Sequence, residues 1–298
     1  SDLHYYFEGA NGAFVVREPL IPGHELSGII DLDPSGTYKE GDPVTIHPAT
    51  FGTPELGIEN SPHLWPNGAY LGSASTWPHT QGGASEYVIF RKDMIRPLPK
   101  SLDLKIAALA EPLAVSLHAI NQADGVKGKK IFVSGSGPIG LLLIGAAKIL
   151  GASEIVASDL LGGPLERAKS LGATDTVKIG SGEPKLNYYD AVFECSGGAK
   201  AVSTSLSVAR RGGTVIQVGM LSANEQPILY APLVSKELTL RGTFRFNDEI
   251  EEAIKMLDQN PKLANAITHV FAPENSVAAF EMAKNSAESG KVLIEFNA

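Results

Sequence analysis

The rhythm of apolar and polar positions changes part-way along the chain. Over residues 1–112 short apolar segments, Ser27–Leu32, Pro43–His47 and Ser85–Phe90, are separated by turn chemistry such as Pro34-Ser35-Gly36 and Glu40-Gly41-Asp42, and they read as strands joined by loops. Asp103–Leu109 starts a helix, and Ala114–Ala123 is a helix leading out of this region. From about 113 to 242 strands and helices alternate. Strand Lys130–Ser134 precedes an apolar helical run to Leu150, then strand Glu154–Ser158, helix Pro164–Leu171, and strands Asp175–Ile179 and Asp190–Glu194. Helix Ala199–Ala209 follows, with strands Gly213–Gly219 and Leu238–Gly242. This alternation predicts an α/β architecture, a doubly wound parallel sheet covered on both faces. The tail adds helix Asp248–Gln259 and strands His269–Phe271 and Lys291–Phe296.

Between the first two strands of that sheet lies Gly135-Ser136-Gly137-Pro138-Ile139-Gly140, with Asp159 closing the second strand about 20 residues further on. Gly135 permits the tight turn, Gly137 lets backbone approach a pyrophosphate, and Gly140 lets the helix lie close on the sheet. The helix N-terminus offers free N–H groups to phosphates. A glycine turn that merely joins strand to helix has no need of the acid, so dinucleotide binding is the stronger reading. Asp159 can accept hydrogen bonds from both ribose hydroxyls and would repel a 2′-phosphate. Leu160 and Leu161 follow it, and Arg167 on the next helix is expected in solvent, which favours NAD over NADP.

The 298 residues suggest two domains, and 43% hydrophobic with 19% charged residues is the composition of a soluble globular protein. A net charge of −8 without a basic block argues against nucleic-acid binding, and no apolar run is long enough to span a bilayer. Cys195 is the single cysteine, which excludes a disulfide within the chain and points to a reducing, cytoplasmic compartment. No signal peptide is apparent at the start, where Ser1 stands without a preceding methionine, as if cut from something longer.

Pro22-Gly23-His24-Glu25 sets a histidine beside an acid after a turn, and Glu111 precedes Pro112 where the first domain hands over to the second. His24, Glu25 and Glu111 can offer nitrogen and oxygen ligands to zinc. The spacing alone equally suits a capping glutamate and a structural histidine.

Taken together, several segments resemble the zinc-dependent medium-chain dehydrogenases, in their sorbitol and L-idonate branch. These are Ser1–Tyr6, Pro22–Glu25, Gly41-Asp42, Leu71–Ser75, Gln81–Gly83, Glu111–Val115, Gly135–Gly140 and Arg241–Phe246. Leu71–Ser75 and Gly242–Phe246 are most similar to L-idonate 5-dehydrogenases. The resemblance implies a GroES-like, mainly-β catalytic domain from 1–112 and 243–298, and a Rossmann domain over 113–242. It implies one catalytic zinc on His24 and Glu25, with Glu111 near the metal binding substrate or water. Tyr5, Arg245 and Phe246 would contact substrate, a polyol or aldonate, and Arg245 could pair with a carboxylate. Ser1 and His4 would relay the substrate proton. Gly137, Pro138, Ile139 and Asp159 would hold pyrophosphate and ribose, while Val218, Gly219 and Met220 with Thr243, Phe244 and Arg245 would flank the nicotinamide. Relatives form homodimers or homotetramers through their cofactor domains.

Two departures accompany the likeness. The family's catalytic cysteine precedes the position of Ser1, so zinc binding is expected to be weak and the chain as given catalytically impaired. Relatives' four closely spaced structural-zinc cysteines have no counterpart in Gly52–Pro66, so a structural zinc is expected to be absent and the loop held by Trp65 and its prolines. His47, His63, His79, His118 and His269 read as surface or satisfied core residues, Cys195 as a core residue, and Asp42 as a turn residue. Asp248-Glu249 and Glu251-Glu252 read as an acidic first turn complementing a helix dipole. Beside the dehydrogenase stand two alternatives: an NAD-binding remnant without redox activity, and a zinc-free reductase, which has no use for the His24, Glu25 and Glu111 trio.

Overall fold

The computed structural model describes residues 1–222 and 224–296. Its largest sheet has six parallel strands: β1 (Lys130–Ser134), β2 (Glu154–Asp159), β3 (Asp175–Lys178), β4 (Tyr189–Glu194), β5 (Ala209–Gln217) and β6 (Thr239–Gly242). They run in the spatial order β3-β2-β1-β4-β5-β6, all neighbours parallel. Strand order reverses between β1 and β4, so a crevice opens beyond their carboxyl ends, where ligands of doubly wound sheets bind. The central strands are apolar without alternation because both faces are covered: Ile131, Phe132, Val133, Ala191, Val192 and Phe193 are all fully buried. Helix Pro138–Ile149 fills one face, with Leu141 to Ile144 out of solvent.

The first lobe is built from small antiparallel sheets. Ser27–Ile29, Pro43–Ile46 and Ile95–Pro97 form one, and Ala49–Thr50 pairs with Ala69–Tyr70. Ser85–Phe90 is not a strand. Alternating side chains make one only where a neighbour takes up the N–H and C=O groups, and here Tyr87 is 73% and Ile89 100% exposed. The start of the chain, expected as strand and loop, is the helix Asp2–Glu8, ended by Gly9 at φ 69°. Helix Ala110–Gln122 begins earlier than expected, because Pro112 is tolerated in a first turn that needs no N–H at that position. This helix packs on Pro138–Ile149 and on Ile250–Gln259, and so ties the nucleotide lobe to the C-terminal segment.

The tail contains a helix that the apolar pattern did not reveal, Ser276–Lys284, between the parallel strands Ile267–Phe271 and Lys291–Ile294. Loop 52–66 is closed on itself: the Trp65 indole donates to the Ile58 carbonyl at 3.0 Å, and Thr53 N–H to the Pro66 carbonyl at 2.9 Å. Asp42 holds its turn through the Lys39 amide at 2.8 Å. Glu249, read as an acid complementing a helix dipole, stands at the start of helix Ile250–Gln259 and does more. It is buried, bonded to His118 Nδ1 at 2.7 Å and to the Asn121 amide, and these donors pull its pKa down to about 2 against the effect of burial.

Candidate active site

His24 stands on a turn that only close backbone packing permits. Gly23 adopts φ 99°, and a Cβ at Gly82 would lie 2.3 Å from the Pro22 carbonyl oxygen. Three amides, those of Gly82, Gly83 and Ala84, bond back to the carbonyls of Ile21, Gly23 and Pro22. The Pro22–Glu25 and Gln81–Gly83 segments are thus one clamp that fixes the histidine's direction.

The clamp brings His24, Glu25 and Glu111 together, with one ligand atom from each within 4.8 Å of the others. Burial pushes the His24 pKa down to about 4, so the imidazole is neutral and able to ligate. Its Nδ1 is buried without a hydrogen-bond partner, and the nearest carboxylate oxygen, Asp2 Oδ1, lies 3.7 Å away. Glu111, in the first turn of Ala110–Gln122, is 5% exposed. Burial raises its pKa to about 7, opposed by the Tyr70 hydroxyl, which donates to Oε1 at 2.5 Å. Glu25 is paired with the partly buried ammonium of Lys291. The donor set therefore fits a zinc ion with an open coordination position, although both carboxylates have partners inside the protein.

Around this cluster the expected residues divide. Ser1 Oγ lies 3.5 Å from His24 Nε2. His4, one turn along, faces Glu8 at 3.1 Å with its side chain 56% exposed, so only the first half of the expected proton relay sits at the cluster. Tyr5 is buried, its hydroxyl shared between Ser73 Oγ and the Ala74 amide. Arg245 approaches, its guanidinium 4.1 Å from the Tyr70 ring centroid. Phe246 does not line the cleft: it is fully buried in the main core, against the His47 ring, because the chain bends at Arg245, whose φ is 54°, and turns the next side chain inward. Phe244 and Arg245 instead border an open pocket of about 270 Å3 with Phe51, Trp65 and Asn67.

The glycine motif forms a tight turn at the crevice beyond β1 and β4. Gly135 has φ 93°, and a Cβ at Gly140 would sit 2.0 Å from the Gly135 carbonyl oxygen, while nothing lies within 4 Å of one at Gly137. Pro138 and Ile139 open the helix behind it. The Asp159 carboxylate accepts from the Ser136 and Leu161 amides at 2.9 and 3.0 Å. Arg167, expected in solvent, is half-buried. It donates to the carbonyls of Ser286, Ala287, Glu288 and Ser289. Val218, Gly219 and Met220 follow β5 and nest against the turn after β4, with a Cβ at Gly219 only 2.2 Å from Gly197 N. The Thr243 hydroxyl in the same crevice is buried without a partner.

Sequence reasoning missed Asp2, Tyr70, Lys291 and Glu194. The last is fully buried and joins the two crevice turns, accepting from the Ser196 and Gly197 amides and the Gln217 side-chain amide. Tyr70 adjoins the Leu71–Ser75 motif and was findable; Lys291 carries no local signal. Cys195 lies beside Gly135, where burial raises its thiol pKa, away from the zinc-type cluster. Among the other histidines, His47, His79, His118 and His269 each have a bonding partner, whereas His63 Nδ1 is buried without one.

Residues 1–100 match the alcohol dehydrogenase GroES-like domain, and residues 138–259 the zinc-binding dehydrogenase domain. The L-idonate 5-dehydrogenase (NAD(P)(+)) of Escherichia coli (strain K12) is 39% identical over 264 residues, covering 86% of this chain and 76% of that protein. The chain belongs to the zinc-binding alcohol dehydrogenases. This dehydrogenase is also 36% identical to the D-xylulose reductase of Saccharomyces cerevisiae over 300 residues, 94% of this chain and 82% of that one. Its fold superimposes on the crystal structure of the Escherichia coli L-idonate 5-dehydrogenase with a TM-score of 0.93 and 34% identity, covering 99% of this chain and 87% of the other. It is an oxidoreductase of the polyol and sugar-acid dehydrogenase group, acting on CH–OH donors with a nicotinamide cofactor. Among the described residues no helix is long and apolar enough to cross a membrane.

Proposed function

We propose that this dehydrogenase oxidises a secondary alcohol of a sugar acid of the L-idonate kind, with NAD as hydride acceptor and one zinc on His24 and Glu25. The observation that carries the reading is Arg245, a guanidinium that lies over the ring of Tyr70, whose hydroxyl bonds Glu111 of the metal cluster, and that borders an open pocket. Residues 1–112 with 243–298 form the catalytic domain in this reading, and 113–242 the nucleotide domain. When bound, zinc lowers the pKa of a coordinated alcohol and the nicotinamide accepts its hydride. Ser1 Oγ, beside His24 Nε2, is the group that takes the alcohol proton, with His4 at the solvent end of the same segment. Glu111 holds a substrate hydroxyl or water, and Tyr5 and Arg245 orient the substrate.

Asp159 supports NAD, since both its oxygens stand at the end of β2 with leucines beside it. Arg167, spent on four carbonyls, is unavailable to a 2′-phosphate. The partnerless Thr243 hydroxyl suits the nicotinamide carboxamide, flanked by Val218, Gly219, Met220 and Phe244. Exposed Leu229, Tyr230 and Val234, leading to the edge strand β6, favour a homodimer or homotetramer formed through this domain, working in the cytoplasm.

Absorbance at 340 nm with zinc supplied tests the proposal: L-idonate with NAD should outpace both sorbitol with NAD and L-idonate with NADP. Faster oxidation of sorbitol, or a preference for NADP, would overturn it. The partners of Glu25 and Glu111 favour a second reading, a nucleotide-binding chain that holds zinc too weakly to turn over. Separate titrations of zinc and NAD distinguish the two, because only NAD would bind in that case.

A further inference from the structure

Tyr70 lies between two groups that the reading above uses separately. It ends the short strand Ala69–Tyr70, is 5% exposed, and its hydroxyl is bonded to Glu111 at the metal cluster. The face of the same ring carries the guanidinium of Arg245 at 4.1 Å, inside the range in which a cation is held by a ring quadrupole. Phe244 approaches the guanidinium at 4.6 Å.

The choice of an aromatic seat has a chemical consequence. A carboxylate partner would neutralise the arginine and occupy its planar fork of N–H donors. A ring supports the cation from its face and leaves the donor edge free. Among the described residues no carboxylate forms an ion pair with Arg245, and its side chain borders the 270 Å3 pocket walled by Phe51, Trp65 and Phe244. The backbone is adapted to this pose. Arg245 sits at φ 54°, a left-handed conformation that a long side chain adopts only where its surroundings enforce it.

We propose that Tyr70 is the positioning residue for sugar-acid selectivity: its ring seats Arg245 so that the free fork meets the substrate carboxylate in two parallel hydrogen bonds, and its hydroxyl ties that seat to Glu111. The proposal rests on the sugar-acid reading of the cleft. It adds that selectivity is lost when the ring is removed, although Arg245 remains. A long arginine without its seat samples many rotamers, and the bidentate geometry that distinguishes a carboxylate from a hydroxyl is lost.

The test is calorimetric binding of L-idonate and of sorbitol to the full chain with saturating NADH and zinc, where alcohol and cofactor are both reduced and no turnover occurs. Tyr70→Leu and Tyr70→Met should each reduce the ratio of L-idonate to sorbitol affinity by about tenfold. Tyr70→Phe keeps the ring and should hold that ratio within about threefold of the unmodified chain. NAD affinity, unchanged in all three, reports that the fold is intact. A purely structural role would weaken both sugars together and leave the ratio alone, and that result would overturn the proposal. Loss of the ratio in Tyr70→Phe to the same degree as in Tyr70→Leu would also overturn it, by assigning the effect to the hydroxyl. An unmodified chain with no preference for L-idonate would overturn the sugar-acid reading and this role together, whereas a preference that survives Tyr70→Leu removes this role alone.

Discussion

Alanine at Gly140 and at Gly137, one at a time, separates the packing glycine of the nucleotide turn from the glycine that admits the ligand. At Gly140 the new Cβ would stand 2.0 Å from the carbonyl oxygen of Gly135. A backbone oxygen cannot swing away as a side chain can, so helix Pro138–Ile149 must lift from β1. That loosens Leu141, Leu142 and Ile144, all fully buried. Overpacking costs about 1–3 kcal/mol, and a backbone obstacle sets this case near the upper end, about 3 kcal/mol. For a chain of this size the matching fall in Tm is about 5 °C. At Gly137 nothing lies within 4 Å of the added carbon, and φ of −72° suits alanine. Stability there should hold or rise by about 0.5 kcal/mol, because alanine reduces the freedom of the unfolded chain. The methyl nonetheless fills the space a pyrophosphate needs, and the NAD Kd should rise at least about tenfold. Thermal melts without nucleotide, paired with fluorescence titration of NADH, read both effects. A Gly137→Ala chain that melts low yet binds normally, or a Gly140→Ala chain with an unchanged Tm, would refute the division of labour.

Asp159→Ala should weaken NAD about tenfold and leave NADP nearly unchanged in the same titration; equal weakening of both would reduce Asp159 to a prop for the Ser136 and Leu161 amides. The metal-free chain should show opposed pH effects at the cluster. The folded His24 pKa of about 4 lies below its ordinary 6.5, so its contribution is intact above pH 6.5 and is lost as pH falls toward 4. The folded Glu111 pKa of about 7 lies above its ordinary 4.5, so its contribution is present below pH 4.5 and is lost as pH rises through 7. Glu111→Gln removes the second effect, and its urea-unfolding free energy should then fall, relative to the unmodified chain, by about 2.5 kcal/mol between pH 6.5 and 4.5; parallel curves would contradict the assignment. Glu249→Ala strands His118 and the neighbouring amides and should cost about 3 kcal/mol in the same assay, against less than about 0.5 for the exposed Glu252.

The nucleotide half of this chain was legible because its signals are local. A buried parallel strand has to be apolar on both faces, a phosphate turn needs glycine at fixed offsets, and Asp159 follows at the distance the unit imposes, so a doubly wound parallel sheet was legible from the sequence. The first lobe was less legible. Whether Ser85–Phe90 becomes a strand depends on a neighbouring ladder, a long-range condition that alternation of side chains cannot encode. Helix Asp2–Glu8 bundles Leu3, Tyr5, Tyr6 and Phe7 without a clean period. At the cluster, His24, Glu25 and Glu111 were recovered as a trio through the family resemblance, while their bonding partners were not. Asp2, Tyr70 and Lys291 reach the cluster from three separate elements, and Lys291 from the far end of the chain. Phe246 was misplaced for the same reason: a motif gives the order of residues, but which of three neighbours faces the cleft is decided by packing.

Anomalous diffraction at the zinc edge, from crystals of the whole chain grown with zinc and NAD, tests the central claim most directly. A single peak between His24 and Glu25, on the side of Glu111 and facing a nucleotide laid across Gly135–Gly140, is the expected result. A peak in loop 52–66 instead, or a bound nucleotide beside an imidazole that carries no metal, would contradict it.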